Sequence, residues 1–105
     1  MEIKDNLFEK KEHLNSLYDV YKDLLTEKQR EYFEAYFFDD LSLKEIAENS
    51  GVSRNAVFTS LKSIEDTLEE YECKLKIKEK RDKIISIIEE NDSIEELKEK
   101  IKNIL

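Results

Sequence analysis

The sequence predicts an all-α protein built on a helix-turn-helix, with an extended second helix and a helical hairpin near its C-terminal end. Three observations support this fold class. The 105 residues include one glycine and no proline, so little in the chain interrupts a helix. Residues 42–62 place that glycine between two serines that are suited to cap helices. Apolar residues recur every three or four positions along most of the chain, which is typical of amphipathic helices.

Composition and length bound the class of protein. Charged residues make up 42% and aromatic residues 10% of the sequence, which indicates a soluble, helical protein rather than a disordered one. A chain of this length supports one core, so we predict a single domain over residues 1–105, with a helix-turn-helix core at about 26–72 and a helical extension at about 73–105. We see no apolar signal segment and no span of about 20 apolar residues, and we expect a cytoplasmic protein without membrane contact.

The sequence offers no candidate catalytic or metal centre. Cys73 is the single cysteine and His13 the single histidine, which excludes a disulfide framework and leaves no ligand pair at metal-binding spacing. We interpret Cys73 as a reduced thiol and His13 as solvated or partly packed. The acidic residues are spread along helix surfaces, with no nucleophile and base at a useful spacing. We therefore expect no enzymatic activity, no cofactor, no metal and no small-molecule substrate.

Two amphipathic helices are predicted before the motif. The first runs from Ile3 to Leu25, where apolar residues fall at spacings of three, four and seven. Thr26 and Gln29 then form a capping box that begins a second helix, from Glu27 to about Phe38. Aromatic residues dominate this second helix: Tyr32, Phe33, Tyr36, Phe37 and Phe38. So much aromatic area on a short helix is typical of a core, and we favour that interpretation over a platform for stacking nucleic-acid bases.

The helix-turn-helix itself is predicted from capping and turn signals. Ser42 caps its first helix with Glu45 in capping-box position, and Ser53 caps the second. Gly51 lies four residues after Ala47 and supplies the left-handed conformation needed past a helix end, so the turn is placed at 50–52. The apolar residues expected to face inward are Ile46, Ala47, Val52, Val57 and Leu61. In a DNA-binding helix-turn-helix the second helix enters the major groove, although a purely structural helical corner can show the same pattern.

The second helix of the motif is predicted to continue far beyond it. An apolar seam with steps of four and three comprises Val57, Leu61, Ile64, Leu68, Tyr71 and Leu75. Such a seam requires a partner, either the first helix folding back or a second copy of the chain, and we expect a homodimer. A bend or a helix end is predicted near 76–80. Apolar stripes at 84–88 and 94–105, the second capped by Ser93, then pair as an antiparallel hairpin or join a dimer interface.

Eight residues of the motif are candidate nucleic-acid contacts. The second helix presents four of them opposite Val57 as candidate base contacts: Asn55, Phe58, Thr59 and Lys62. Asn55 suits adenine, Phe58 and the Thr59 methyl group suit thymine methyl groups, and Lys62 suits guanine or a phosphate. The candidate phosphate contacts are Arg54, Lys44 and the hydroxyls of Ser42 and Ser53.

The charge distribution restricts how DNA could bind. The net charge of −8 disfavours DNA, because phosphate contacts require Lys and Arg. Residues 42–63 are the exception, with 3 basic and 2 acidic side chains, whereas the segments before and after them are acidic. Asp66 and Glu69 continue the candidate face and would repel a duplex. We therefore expect only the first two turns of the second helix to enter the groove.

Four segments carry a resemblance to a known family: LTEKQREYF at 25–33, SLKEIAE at 42–48, VSRNAVF at 52–58 and LEEYECKL at 68–75. They resemble the YlxM-like family of small bacterial helix-turn-helix proteins, whose genes lie beside those of the signal recognition particle. The likeness covers nearly the whole chain. More distantly, residues 25–64 look like region 4 of sigma factors, which binds promoter DNA, although Thr59 and Ser63 stand on a helix side where that region usually has several arginines.

The resemblance implies an all-α homodimer that acts as a DNA-binding regulator connected with the signal recognition particle pathway. Our leading hypothesis is a dimer that binds duplex DNA through Ser53 to Lys62. The alternative is a protein interaction module that binds a component of the protein-targeting machinery through its acidic helical surface. The acidic residues that motivate this alternative are Asp66, Glu69, Glu70 and Glu72.

Overall fold

The computed structural model describes residues 11–90 and 93–104, which form six α-helices and a short 3-10 turn, with no strand in these ranges. The helices are α1 (Lys11–Tyr21), α2 (Glu27–Phe37), α3 (Leu43–Ser50), α4 (Arg54–Leu75), α5 (Ile77–Glu90) and α6 (Ile94–Ile104), and the 3-10 turn Lys22–Leu24 follows α1. The predicted all-α helix-turn-helix fold is confirmed. The predicted helix positions at Ile3 and Leu7, and Leu105 at the end of the last stripe, lie outside the described residues.

Helix α4 is the central element of the fold, because α1, α2, α3 and α5 all pack on it. The four side chains that face these helices are at most 2% exposed: Val57, Leu61, Ile64 and Leu68. The first helix therefore supplies the partner that the long apolar seam requires, and the buried part of the seam gives no argument for a second copy. Towards its C-terminal end the seam leaves the core, since Tyr71 is half-buried and Leu75 is 45% exposed.

The aromatic residues of α2 form the core, as predicted. The buried members are Tyr32, Phe33, Tyr36 and Phe37. The Phe33 ring stacks on Tyr18 of α1, with 4.2 Å between ring centroids, and on Phe37 at 4.4 Å. Phe38 differs from this group, because it follows the last residue of α2 and is 53% exposed while its ring meets Tyr18 and Phe33 edge-on.

The predicted helix caps and the predicted turn are present. Reciprocal capping boxes begin α2 at Thr26 and α3 at Ser42. The Ser93 hydroxyl accepts a hydrogen bond from the Glu96 amide at 3.4 Å and begins α6. Gly51 has a φ of 70°, in the left-handed region, and ends α3. The sequence signals therefore predicted these helix ends correctly because each one depends on residues close together in the chain.

Two local expectations are wrong. The first helix does not continue to Leu25 but ends at Tyr21, and Leu25 adopts an extended conformation before the Thr26 cap. The Arg30 guanidinium stabilises this end by donating to the Leu25 carbonyl at 2.8 Å. Val52, expected to face inward, is 42% exposed; it follows the left-handed Gly51 in the tight turn, where its amide donates to the Ala47 carbonyl at 3.1 Å.

The C-terminal extension is a helical hairpin. Lys76 adopts a left-handed conformation, with a φ of 56°, and ends α4 within the predicted interval. Helices α5 and α6 contact each other, and α5 also contacts α1 and α4. Pairing of α5 with α6 leaves large apolar side chains exposed, with Ile85 at 45%, Ile88 at 53% and Ile94 at 67%. In the described part of the chain, no helix combines the length and apolar character that crossing a bilayer requires.

Candidate nucleic-acid interface

The helix-turn-helix is held on the core by the inner sides of α3 and α4. Leu43, Ile46 and Ala47 of α3 are buried against the rest of the core, and Val57 of α4 is completely buried. The small Ala47 side chain, which is 5% exposed, allows the two helices to approach closely. The start of α4 is therefore presented to solvent by a well-packed support, which is the arrangement that a recognition helix needs.

The first turns of α4 present three of the predicted contacts on an open face. Arg54, Asn55 and Thr59 are exposed, and the first turn contains no acidic residue. The Ser53 hydroxyl accepts a hydrogen bond from the Ala56 amide at 3.0 Å, which fixes where the helix begins. The hydroxyl proton of Ser53 is still a donor, so a phosphate oxygen at this helix start could accept from it.

The start of α3 carries the other predicted phosphate contacts. The Ser42 hydroxyl accepts from the Glu45 amide at 3.1 Å, and like Ser53 it can still donate its own proton. Lys44 is exposed in the first turn of this helix. Within the described ranges no salt bridge involves Lys44 or Arg54, so both cations are open to an anionic partner.

Phe58 and Lys62 lie at the edge of the open face rather than at its centre. Phe58 is half-buried and packs against the core, since at about 100° per residue it stands about 100° from the fully buried Val57. Lys62 is also half-buried, and its Nζ lies 2.9 Å from a carboxylate oxygen of Glu65, three residues further on. A core contact and an ion pair therefore compete with DNA for these two side chains.

The eight candidate contacts omit two residues that are exposed near the start of the same helix, Ala56 and Ser63, although the comparison with sigma factors placed Ser63 on the same side as Thr59. Together with Asn55 and Thr59 they form an exposed strip on the side of α4 that lies away from Phe58. At about 100° per residue, Asn55, Thr59 and Ser63 lie within about 50° of the direction opposite to the four buried residues of α4, whereas Phe58 lies about 90° from it. The same helical periodicity could therefore have placed Ser63 among the candidate contacts.

Beyond the first two turns of α4, the acidic residues differ in their exposure and in their contacts. Asp66 is exposed and extends the face with a negative charge. Glu69 is half-buried and its carboxylate lies 3.2 Å from Nε2 of His13 on α1. His13 is thus partly packed, as predicted, and it draws Glu69 towards α1. Asp66, with the exposed Glu70 one turn further along the same side, limits how far a duplex can extend along α4.

The described ranges contain no cluster of three or more His, Cys, Asp or Glu side chains arranged to hold a metal ion. Cys73 is a free, exposed thiol on α4. Neither finding adds a chemical centre to the exposed start of α4. The fold instead brings together the capped start of α4, the Asn55 side-chain amide, and the cations of Arg54 and Lys44. The hydroxyls of Ser42, Ser53 and Thr59 lie at the same two helix starts.

Two helices joined by a glycine turn, with the start of the second exposed, define a helix-turn-helix protein. The sequence profile of the family described as "Putative helix-turn-helix protein, YlxM / p13 like" matches residues 8–104, and the chain belongs to this family. It is similar to the "Probable UPF0122 protein" of Mycoplasma mycoides, with 46% identity over 88 residues that cover 84% of this chain and 78% of that protein. It is also similar to the "UPF0122 protein" of Bacillus thuringiensis (strain Al Hakam), with 43% identity over 106 residues that cover 93% of this chain and 96% of that protein. The predicted family resemblance is confirmed.

Proposed function

We propose that the protein is a DNA-binding regulator that places the first two turns of α4 in the major groove of duplex DNA. The observation that carries this proposal is the exposed start of α4, where Arg54, Asn55 and Thr59 stand on a helix-turn-helix without an acidic residue in the first turn. In a chain with a net charge of −8, a recognition-helix start without a carboxylate in its first turn is a specific feature rather than an average one. Membership of a helix-turn-helix family supports the same function.

The contacts divide into base recognition and positioning. The Asn55 side-chain amide has a donor and an acceptor that complement the acceptor and donor of adenine in the major groove. The Thr59 methyl group suits contact with the thymine methyl group. Arg54, Lys44 and the hydroxyls of Ser42 and Ser53 position the duplex through its phosphates. Phe58 and Lys62 contribute at the edge of the face, and Lys62 must first exchange its ion pair with Glu65 for a contact to DNA.

We expect Arg54→Ala to weaken binding to duplex DNA by about threefold to tenfold and to reduce the salt slope of the affinity by about one, because one phosphate contact is lost. Fluorescence anisotropy across a salt series, with duplexes selected from a random pool, measures both quantities. Lys80→Ala is the matched control, since it removes one exposed lysine from α5, away from the motif. Equal affinities and salt slopes for the two variants would contradict the role of Arg54.

The dimer is a second part of the proposal. The apolar residues that the α5 and α6 hairpin leaves exposed, among them Ile85, Ile88 and Ile94, support a second copy of the chain as the partner of this surface. A dimer would place two α4 helices on successive major grooves, about 34 Å apart. Sedimentation equilibrium at micromolar concentration is expected to give the mass of a dimer, and Ile88→Glu to shift it towards the monomer. A wild-type monomer at that concentration would refute this part of the proposal.

The alternative partner is a component of the protein-targeting machinery, to which the family resemblance connects the chain. It would use the acidic residues of α4, but their contacts weaken this case. Glu72 accepts hydrogen bonds at the start of α5, Glu69 contacts His13, and Glu70 pairs with Lys74 at 3.0 Å. Asp66 remains exposed and lies next to the proposed DNA face. The contacts therefore favour DNA as the partner.

A further inference from the structure

An open groove of about 410 Å³ lies between the start of α2 and the side of α4. Its polar lining residues are Thr26, Lys28, Gln29, Thr59, Ser60 and Ser63. None of the residues that line it is acidic, although the chain contains 26 Asp and Glu residues. Two other grooves on the described surface do contain carboxylates, from Glu31 in one case and from Glu72, Glu79 and Asp82 in the other. This groove is therefore one that an anion can enter.

The groups that line the groove are mainly hydrogen-bond donors around one cation. The Lys28 ammonium lies 5.2 Å from the centre of the Tyr32 ring, four residues further along α2, and both residues line this groove as well as the neighbouring groove that contains Glu31. The side-chain oxygen of Gln29 accepts from the Thr26 amide at 2.8 Å, so its amino group is left to donate to a ligand. The hydroxyls on the α4 side add donors, and the positive end of the α2 dipole lies at Thr26. Such a set suits a phosphate.

The groove borders the recognition face. Thr59 belongs to both, and Ser63 lies one turn further along the same side of α4. When a recognition helix lies in the major groove, the phosphates of the flanking strands run beside it, and contacts to them fix the position of the helix. We propose that this groove receives the phosphodiester backbone of one DNA strand, with Lys28 and the hydroxyl of Ser63 as its principal contacts. The inference rests on the DNA-binding function proposed above and adds α2 to the interface.

We expect Lys28→Ala to weaken binding by about threefold to tenfold for every duplex sequence and to lower the salt slope by about one, as the loss of a phosphate contact does. Ser63→Asp should weaken binding by about tenfold or more, because it places a carboxylate beside the phosphates. The matched controls are Lys80→Ala and Ser86→Asp, which make the same changes on exposed positions of α5. Anisotropy titrations measure affinity, and circular dichroism verifies that each variant is folded.

The outcomes separate this inference from the proposed function. If Arg54→Ala weakens binding while Lys28→Ala and Ser63→Asp bind like their controls, the groove is not a phosphate site and the DNA-binding function stands. If the wild-type protein binds no duplex, both proposals are overturned. If Ser63→Asp does not fold, the comparison of Lys28→Ala with Lys80→Ala decides, since both change exposed lysines on helix surfaces.

Discussion

Replacing Phe33 with alanine is expected to lower the free energy of unfolding by about 3–5 kcal/mol. The Phe33 side chain is 1% exposed, and its ring is stacked between Tyr18 of α1 and Phe37 of α2. Removing the ring leaves a cavity where these two helices meet, and neighbouring rings can fill it only in part. A domain of this size is stable by about 5–15 kcal/mol, so the variant should lie close to the unfolding threshold. Urea denaturation measures the change.

Phe38→Ala is the matched control for this prediction. It makes the same chemical change five positions later, but Phe38 is 53% exposed and meets the Tyr18 and Phe33 rings only edge-on. We expect it to cost about 1 kcal/mol or less. Equal losses of stability in the two variants would show that Phe33 does not have the central place in the core that its burial indicates.

The elements of the fold that were predictable from sequence are those with local causes. A capping box joins residues three positions apart, so Thr26 with Gln29 and Ser42 with Glu45 could be recognised without a structure. The left-handed turn at Gly51 depends on one residue in the same way. Helical periodicity then found the buried side of α4, because burial repeats with the period of the helix.

The expectations that were wrong or incomplete depend on tertiary packing. Periodicity could not show that the seam of α4 is covered by α1 within one chain, because both possible partners present the same apolar pattern. Phe38 has the same chemistry as Phe37, but α2 ends between them, and only one of the two is buried. Exposure of Val52 likewise depends on the path of the chain through the turn.

The candidate interface was predictable in part. Exposure of Arg54, Asn55 and Thr59 agrees with the helical periodicity of α4. The groove beside them joins residues 26–29 with residues 59–63, and no sequence pattern relates two segments so far apart. The ion pair of Lys62 with Glu65 could have been anticipated from their spacing, since residues three apart on a helix are neighbours.

The junction between α4 and α5 is where the second large effect is expected. The Glu72 carboxylate of α4 accepts hydrogen bonds from the Tyr21 hydroxyl at 2.5 Å and from the amides of Lys78 and Glu79 at 3.1 Å and 3.0 Å. The Tyr21 hydroxyl in turn accepts from the Ile77 amide at 3.1 Å. One carboxylate of α4 thus caps the start of α5 and connects both helices to α1.

This set of contacts makes the junction sensitive to acid. Burial by itself would raise the pKa of Glu72, but the hydrogen bonds from Tyr21 and from the Lys78 and Glu79 amides, with the Lys78 charge, outweigh it and lower the pKa. A carboxyl group with a lowered pKa in the folded state stabilises the fold above its unfolded pKa, and this contribution is lost as the pH falls through the folded pKa.

Glu72→Ala is expected to lower the free energy of unfolding at neutral pH by about 2–3 kcal/mol, because the Tyr21 hydroxyl and two helix-start amides lose a charged acceptor. Glu70→Ala is the matched control. Glu70 is exposed and pairs with Lys74 at four-residue spacing, so its loss should cost about 0.5 kcal/mol or less. Urea denaturation of both variants and the wild type at a series of pH values measures these differences.

The pH series gives the sharper test. The stability difference between wild type and Glu72→Ala should be constant above the unfolded pKa of Glu72 and should shrink as the pH falls through its lowered folded pKa, because the protonated carboxyl group is a weaker acceptor. The difference for Glu70→Ala should stay small throughout. A Glu72→Ala difference that grows on acidification would mean that the neutral form makes the stabilising contacts, and the carboxylate would then not be the cap that joins α5 to the helix-turn-helix.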